Sequence, residues 1–237
     1  MYFSDKMKKK KSRRGVVSHV GVVLSFVIFV TFVIFIYIIV RPAVESENKQ
    51  NLLNNIKDII MENSSAELTS VSISVDTASS CVKLLNFIET GERIVVRNEN
   101  GEVLNAKISG KDLYVEKNGD EKLLKIYSSE VFELKEGVMS GCSSSYTFGL
   151  IRTEKIVFEK GVIQIIERYN TDYESLKEEL GIGSGTDFSL GFTYSNGTSV
   201  SVQEREIIAN VFIKEFPIQY ISENAAREAG SLSVGIW

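Results

Sequence analysis

Histidine, cysteine, proline and tryptophan are all scarce in this sequence of 237 residues. It contains 1 His, 2 Cys, 2 Pro and 1 Trp, while 43% of its residues are hydrophobic and 24% are charged. This composition excludes collagen-like, disordered and cysteine-stapled proteins. Outside one long apolar run about 190 residues remain, enough for one sizeable core or two small ones, and we expect a single domain.

The single histidine limits the chemistry that the chain can carry. It is His19, at the start of the apolar run, so the rest of the sequence cannot form a Ser-His-Asp triad or a Cys-His pair. Two distant cysteines without a histidine cannot complete a tetrahedral zinc site. We therefore assign no catalytic residue, no metal ligand and no cofactor. An enzyme that works through carboxylates alone stays an open alternative, for which the sequence nominates no pair of residues.

Three polar segments resemble functional motifs only superficially. The glycine-rich segment 181–186 lacks the lysine of a P-loop and follows a predicted helix instead of a strand, so we interpret it as a turn. The segment 141–145 is interpreted as a serine-rich loop. A short acidic helix leaves a calcium site open, although such a charge run is typical of a solvated face. Its acidic residues are Asp172, Glu174, Glu178 and Glu179.

An apolar run of 26 residues, Gly15 to Val40, dominates the N-terminal part of the sequence. At roughly 1.5 Å per residue, a helix of this length exceeds the ~30 Å hydrocarbon core of a bilayer. Basic residues precede the run against one acid, so the positive-inside rule predicts a cytoplasmic N-terminus. We expect a basic cytoplasmic leader over residues 1–15, a transmembrane helix over 16–41 and an extracytoplasmic remainder in the cell membrane.

Two other interpretations of this region are weaker. A cleaved secretory signal has an apolar region of about 7–15 residues and a small-residue cleavage site, and Ile36 to Pro42 offers no such site. The basic run Lys8 to Arg14 is explained as a topology signal that contacts anionic lipid. The lipid bilayer is therefore an expected partner, and nucleic acid is not.

The sequence after the apolar run has a different charge balance. Residues 42–237 carry 19 basic and 30 acidic side chains, a net charge of −11. Asn63 and Asn196 begin the two Asn-x-Ser/Thr sequons, which makes both candidate glycosylation sites of an exported domain. In an oxidising compartment, Cys81 and Cys142 would close a loop of about 60 residues, worth ~4 kcal/mol of stability. Two buried free thiols are the alternative.

Residues 42–63 read as an amphipathic helix that continues the anchor. Apolar residues recur at spacings of three and four, and Asn63 to Ser65 supply a stop. We expect one helix from about Val16 to Met61, bent near Pro42, whose outer half lays an apolar stripe on the domain that follows. The apolar residues of the stripe are Leu52, Leu53, Ile56, Ile59 and Ile60.

From Leu68 onward the hydrophobic period changes to two, which predicts a mainly antiparallel β domain over residues 66–237. The Asn-Gly pairs at 100–101, 118–119 and 196–197 each predict a type I′ hairpin turn. Pro217 suggests an edge strand or a bulge, and the C-terminus is expected to end in a strand. The predicted strands are Val71–Val75, Arg93–Arg97, Val103–Ile108, Leu113–Glu116, Leu123–Tyr127, Lys155–Phe158, Val162–Arg168 and Asp187–Ser195.

One further helix is predicted in the β domain. Thr171 and Glu174 have the spacing of a capping box, and Gly181 is placed to end the helix. The fold class is thus α+β and membrane-anchored: a long N-terminal transmembrane helix kinked near Pro42, followed by a mainly antiparallel β extracytoplasmic domain.

Small residues recur along one side of the apolar run. Gly21 and Ser25 form a small-xxx-small pair, in line with Gly15 and Ser18. In lipid such a face lets two helices approach closely, so self-association is one interpretation. The other is that small residues are common in membrane-spanning helices.

The N-terminal sequence Lys11-Ser12-Arg13-Arg14-Gly15-Val16, followed by the apolar helix, resembles the N-terminus of type IV pilin-like precursors. The resemblance is strongest to archaeal pilins and archaellins with class III signal peptides. In that family a prepilin-type peptidase cuts after a glycine that follows a basic residue, which implies cleavage between Gly15 and Val16. Bacterial pilins carry a glutamate at the fifth position after the cut, and here that position is Val20.

The resemblance implies a non-enzymatic cell-surface or filament (pseudopilin) subunit, whose apolar helix anchors it or packs into a filament core. Its partners would be the peptidase, further copies of the chain or other pilin-like subunits. The alternative, from a different class, is a single-pass anchored β domain that binds a ligand or partner. Cleavage at Gly15 separates the two.

Overall fold

A computed structural model of the chain describes residues 14–76, 79–89, 92–117, 121–202 and 211–237. For residues 14–20 and 41–46 it describes the helical backbone only. The helices are α1 (Arg14–Asn63), α2 (Glu159–Thr171) and α3 (Tyr173–Glu179). The strands are β1 (Ser65–Val75), β2 (Cys81–Leu84), β3 (Ile94–Asn98), β4 (Val103–Leu104), β5 (Ala106–Ser109), β6 (Asp112–Glu116), β7 (Leu123–Ser128), β8 (Tyr146–Phe158), β9 (Phe188–Thr193), β10 (Ser199–Ser201), β11 (Phe212–Ile221) and β12 (Arg227–Ile236).

The strands form two sheets. Nine of them make one sheet in the order β10-β9-β12-β11-β8-β1-β7-β3-β4, and three make a second in the order β2-β6-β5. Neighbouring strands are antiparallel except β8 and β11, which run parallel where Val157 and Phe158 meet Tyr220 and Ile221. The prediction of a mainly antiparallel β domain is confirmed.

The chain divides into two compact units, of which the second is Leu52–Trp237, called the β unit here. The boundary lies inside α1, whose backbone is helical from Arg14 to Asn63 and passes through Pro42. The β unit therefore begins with the last three turns of this helix and not with the first strand.

Those last turns are part of the largest core cluster. Leu53, Ile56 and Ile60 are 3%, 0% and 1% exposed, and Leu52 and Ile59 pack against the cluster from its margin. Most of its other side chains come from α2, α3, β9, β11 and β12. The predicted apolar stripe of the helix is confirmed, because spacings of three and four place these residues on one face.

Two further buried clusters lie in the β unit, where we had expected one core or two small ones. One is formed by both sheets and includes Ile73 of β1, Val96 of β3 and Leu113 of β6. The other centres on Leu68 and Phe158 at the junction of β1, β8 and β11. The unit is divided in this way because the second sheet packs against only part of the larger one.

The predicted strand Val162–Arg168 is wrong, because these residues lie within helix α2. The buried residues are Val162, Ile165, Ile166 and Tyr169, which recur at helical spacing and enter the core beside α1. A short apolar run with two β-branched pairs fits either period, and here tertiary packing selected the helix.

The predicted capping box is also wrong. Thr171 is the last residue of α2, and its hydroxyl donates to the carbonyl of Glu167 at 3.2 Å. Asp172 alone separates Thr171 from helix α3, which begins at Tyr173 without a side-chain cap. Gly181 does follow the helix with φ +69°, the left-handed conformation expected at a C-terminal glycine.

The hairpin turns differ from type I′. Gly101 and Gly197 each have φ +83°, but Asn100 and Asn196 do not have positive φ. Each glycine N–H donates to the carbonyl three residues earlier, which is the pattern of a type I turn with a glycine bulge. The turn predicted at 118–119 lies outside the described residues.

Three smaller predictions concern strand ends and edges. The predicted strand Val103–Ile108 is interrupted at Asn105, so that β4 belongs to the large sheet and β5 to the small one. Pro217 was expected in an edge strand or a bulge; β11 lies between β12 and β8 and is not an edge strand, but Pro217 is in the part of it that pairs with β12 alone, where its missing N–H leaves no gap on the other side. The C-terminal strand is confirmed as β12, which ends at Ile236.

We predict that Ile56→Ala lowers the free energy of unfolding by about 2–5 kcal/mol, because it leaves a cavity in the largest cluster. Asn55→Ala, one residue away on the exposed face of the same helix, is the control and is expected to be neutral or slightly stabilising. Thermal and urea unfolding of the full chain in detergent measures both. Equal stability of the two variants would contradict burial of the stripe.

A second prediction concerns the contact between α2 and the end of α1. A Cβ at Gly161 would lie 2.8 Å from the Cα of Ser64 and 3.0 Å from its carbonyl oxygen. Gly161→Ala should therefore destabilise the protein by about 1–3 kcal/mol, although alanine is the better helix former. Gly183→Ala, whose Cβ meets nothing within 4 Å, should leave the midpoint of urea unfolding unchanged. Unchanged stability of Gly161→Ala would show that the contact can relax.

Candidate functional site

Helix α1 contains a stretch, Gly21–Val40, of 20 residues that is long and apolar enough to cross a membrane. Its side chains are exposed almost throughout; Val22, Phe26 and Ile38, for example, are 67%, 66% and 63% exposed. The hydroxyl of Thr31 donates to the carbonyl of Ile28 at 2.9 Å, so this polar group is satisfied within the helix. A surface of this kind needs an apolar cover.

The predicted association pair lies at the start of this stretch. Gly21 and Ser25 are four residues apart, and both are exposed on the helix. A Cβ on Gly21 would meet nothing within 4 Å, so the space beside it is open to a second helix. The predicted cleavage residues Gly15 and Val16 lie in the first turn of α1, where only the backbone is described.

Strand β8 is the structural centre of a second candidate site. One side of it pairs with β1 over its whole length, but the other side pairs with β11 only at Val157 and Phe158. A bulge interrupts its pairing with β1, because Val71 lies opposite Ile151 and Ile73 lies opposite Phe148. Two residues of β8 therefore face one residue of β1. Beyond this extra residue, the side chains of β8 that had pointed to one face of the sheet point to the other.

One face of this part of the sheet is basic. A groove of about 270 Å³ is lined by four basic side chains and one acidic side chain, and we call it the basic face. Its charged residues are Arg97, Lys125, Arg152, Arg227 and Glu154. Leu150, which is 73% exposed, lines the same groove from the bulge of β8.

The charges of the basic face are only partly neutralised. Arg152 donates to a carboxylate oxygen of Glu154 at 3.1 Å, and Arg227 pairs with the other oxygen of the same carboxylate. Arg97 donates to the carbonyls of Gly101 and Ala225, and these neutral groups hold its guanidinium in place. The groove is thus a surface of net positive charge in a part of the chain that is acidic overall.

The opposite face is acidic. Glu67, Glu92 and Glu130 line a depression of about 380 Å³ together with Thr69, Ser128 and Ser129, and we call it the acidic face. The hydroxyl of Ser128 donates to Glu92 at 3.2 Å. Lys155 lies opposite Glu67 on β8, but its ammonium group is paired with Glu62.

An apolar depression adjoins the acidic face. Its volume is about 360 Å³, and it shares Thr69, Glu92 and Ser128 with the acidic depression. Phe148 and Ile151, which are 50% and 61% exposed, form one wall, and the rings of Phe87 and Phe148 stack at 5.8 Å. The remaining lining residues are Val71, Asn86 and Ile126.

The two faces lie on opposite sides of the same strands. Ser70 and Ser72 pair with Tyr127 and Lys125 on one side, and Thr69 and Val71 pair with Ser128 and Ile126 on the other. Because successive side chains of a strand point in opposite directions, the side chains of the first set line the basic face and those of the second set line the acidic and apolar depressions. Val71 also borders the basic groove.

Cys81 and Cys142 form a disulfide with a Cα–Cα distance of 4.3 Å. Backbone hydrogen bonds support the connection, since Ser143 donates to Cys81 and Lys83 donates to Ser143. The serine-rich segment 141–145 is therefore attached to the edge of β2. Two free thiols, the alternative, are not present in the structure.

The two sequons have different surroundings. Asn63 is the last residue of α1, and its side-chain amide donates to Glu179 at 2.7 Å. A glycan on that nitrogen would replace this bond. Asn196 lies in the exposed β9–β10 turn, where its amide oxygen accepts from the Thr198 N–H and hydroxyl at 2.9 and 2.7 Å.

Within the described ranges, no group of three or more His, Cys, Asp or Glu side chains is arranged to hold a metal ion. Of the acidic residues considered for calcium, Glu179 is paired with Arg168 and Asn63. The marked pKa shifts also belong to the core. Burial, with Glu159 nearby, raises the pKa of Tyr194 to about 12.

One half-buried ion pair anchors a turn beside β2. Lys83 and Asp112 lie 2.9 Å apart, and Asp112 also accepts from the N–H of Asn86, whose φ is +48°. These hydrogen bonds lower the pKa of Asp112, and the Asp112 carboxylate raises the pKa of Lys83. The arrangement fixes local backbone geometry next to the apolar depression.

No protein-family model, no curated protein and no solved structure matches this chain.

Sequence reasoning identified the apolar helix, the cysteine pair and the sequons, but it missed both charged faces. Lys125 and Glu130 are five positions apart in sequence, yet they belong to opposite faces because each face depends on strand register. The one available signal was the series Leu150, Arg152 and Glu154, an alternating run that continues the predicted strand Lys155–Phe158 toward its N-terminus.

We predict that Cys81→Ser with Cys142→Ser lowers the free energy of unfolding by about 4 kcal/mol in the loop-entropy description of disulfides. In the unmodified protein, both thiols should resist alkylation until a reductant is added. Unfolding midpoints with and without reductant, read beside the double variant, measure the effect. If reductant lowers the unfolding midpoint of the double variant as well, the loss of stability on reduction does not come from the Cys81–Cys142 bond.

Proposed function

We propose that this chain is a non-enzymatic, pilin-like surface or filament subunit. Its N-terminus lies in the cytoplasm, its apolar helix spans the membrane once or packs into a filament core, and the β unit is extracytoplasmic. Pro42 provides the bend between the apolar and the amphipathic parts of the helix. Gly15 and Val16 flank the site at which a prepilin-type peptidase removes the leader.

The observation that supports this proposal most directly is that α1 is one uninterrupted helix from Arg14 to Asn63. One helix contains the exposed apolar stretch Gly21–Val40 and also the fully buried residues Ile56 and Ile60 of the β unit. Burying a Val, Ile or Phe side chain is worth about 1.5–3 kcal/mol, so a helix with this many exposed in water requires a cover. Lipid provides it before assembly, and the same helices of other copies provide it in a filament.

A second candidate function is favoured by the basic face. A groove with four basic side chains and one acidic one, in a part of the chain that is otherwise acidic, is suited to an anionic ligand or partner. In this alternative the protein is a permanently anchored, single-pass binding module. The two functions differ in the fate of the leader, since only the pilin-like subunit is processed at Gly15.

The test is the N-terminal residue of the protein recovered from its native membranes, determined by intact mass and N-terminal peptide mapping. We expect a start at Val16, and we expect Gly15→Val to abolish it because the peptidase requires the glycine. Gly21→Val is the matched control, since this glycine lies in the same helix and has open space around it. It should leave processing unchanged.

A start at Met1 in the unmodified protein would contradict the pilin-like proposal and leave the anchored binding module. Equal loss of processing in Gly15→Val and Gly21→Val would point to failed membrane insertion and would also contradict a specific cut at Gly15. Either result is read from the same mass spectra.

A further inference from the structure

The basic and acidic faces are complementary in charge. The basic face has four basic residues and one acidic residue, and the acidic face has three glutamates around its depression. They lie back to back on β8, β1 and β7, so one copy of the chain cannot bring them together. Two copies can bring them together when they stack in the same orientation, so that the basic face of one meets the acidic face of the other.

The apolar features of the two faces are complementary as well. Leu150 is exposed on the basic face at the bulge of β8. The apolar depression of about 360 Å³, with Phe148 and Ile151 as one wall, is on the side of the sheet that carries the acidic face. One side of the sheet therefore has a basic groove with an exposed leucine, and the other side has an acidic depression with an apolar depression beside it. The two sides are complementary in both charge and apolar surface.

We propose that the basic face of one copy of this chain binds the acidic face of the next copy, with Leu150 entering the neighbour's apolar depression. This inference rests on the proposed function in its filament form and adds the contact between the β units. The partner that binds the basic face is a second copy of the chain, because the complementary acidic surface is present on this chain itself.

The contact is heterologous, since it joins two different surfaces. Such a contact leaves one basic face and one acidic face open at the ends of every assembly, so it repeats unless the rotation between copies closes a ring. The same geometry that forbids an isolated two-fold dimer thus permits a filament. Bringing charged surfaces together also makes the association dependent on salt.

The test uses charge reversal on one face at a time. Lys125→Glu changes the basic face, and it should not disturb the fold because residue 125 lies opposite Arg97, where a carboxylate is favourable. Glu130→Lys changes the acidic face at an exposed turn residue. Lys111→Glu is the matched control, since Lys111 is exposed and lines neither face.

The chain is purified from its membranes in detergent, and its assembly is followed by sedimentation and by electron microscopy. We expect each of Lys125→Glu and Glu130→Lys alone to raise the concentration needed for assembly at least tenfold, and Lys111→Glu to leave it within twofold. A mixture of the two face variants should assemble again, because the reversed basic face of one fits the reversed acidic face of the other.

The apolar part of the contact has its own pair of variants. Leu150→Ser should weaken assembly, while Val138→Ser, at a side chain of similar exposure (67% against 73%) that lines neither face, should not. Carbodiimide cross-linking of a mixture of isotope-labelled and unlabelled chains should join Lys125 of one chain to a glutamate of the acidic face of another.

Several outcomes overturn the inference. Assembly that continues unchanged in both face variants, with the chain processed at Gly15, leaves the filament function in place but excludes this contact. Single variants that fail without rescue in the mixture exclude pairing of the two faces. A chain that stays monomeric in detergent and binds vesicles of anionic lipid through Lys125 assigns the basic face to the membrane instead. A start at Met1 contradicts the proposed function separately.

Discussion

Burial of one stripe of α1 is the interaction on which the rest of the structure depends. Leu53, Ile56 and Ile60 are almost fully buried, and together they join the helix to α2, α3 and the strands around β12. At about 1.5–3 kcal/mol for each side chain, their burial is comparable to the whole stability of a typical domain. The β unit thus cannot be separated from the end of the helix without losing a wall of its largest core.

The sequence predicted those parts of the fold in which one hydrophobic period holds over a long segment. The spacing of Leu53, Ile56 and Ile60 predicted the helix, and the alternation from Phe188 to Tyr194 predicted β9. Prediction failed for α2, because the segment Val162 to Ile166, two β-branched pairs on either side of Gln164, fits both periods. It also failed for Thr171, whose hydroxyl is used at the end of one helix instead of the start of the next. Local patterns do not show which of two competing hydrogen bonds the fold selects.

The candidate site was less predictable than the fold because it depends on register. The residues of the acidic face come from β1, the segment before β3 and the turn after β7, and no sequence spacing connects them. The bulge of β8 adds a second difficulty, since Gly149 and Leu150 together oppose Ser72 and shift the alternation. A Cβ at Gly149 would lie 3.2 Å from the carbonyl of Ser72, so the close approach suits a glycine there. Charge composition alone showed an acidic chain and concealed its basic surface.

Among the described residues, the edge of β8 that faces β11 is paired only at Val157 and Phe158, and this edge is less suited than the faces of the sheet to the proposed contact with a second copy. An exposed edge invites the addition of another strand, and proteins limit this with charges and bulges. The edge of β8 has both: the bulge at Gly149, and the charged series Arg152, Glu154 and Lys155. These features disfavour a continuous ladder of backbone hydrogen bonds with another chain. They also place Leu150 and Arg152 on one face and Phe148 and Ile151 on the other. The bulge that protects the edge thus also sets which face each of these β8 side chains joins, and in the proposed contact between copies it determines where Leu150 lies.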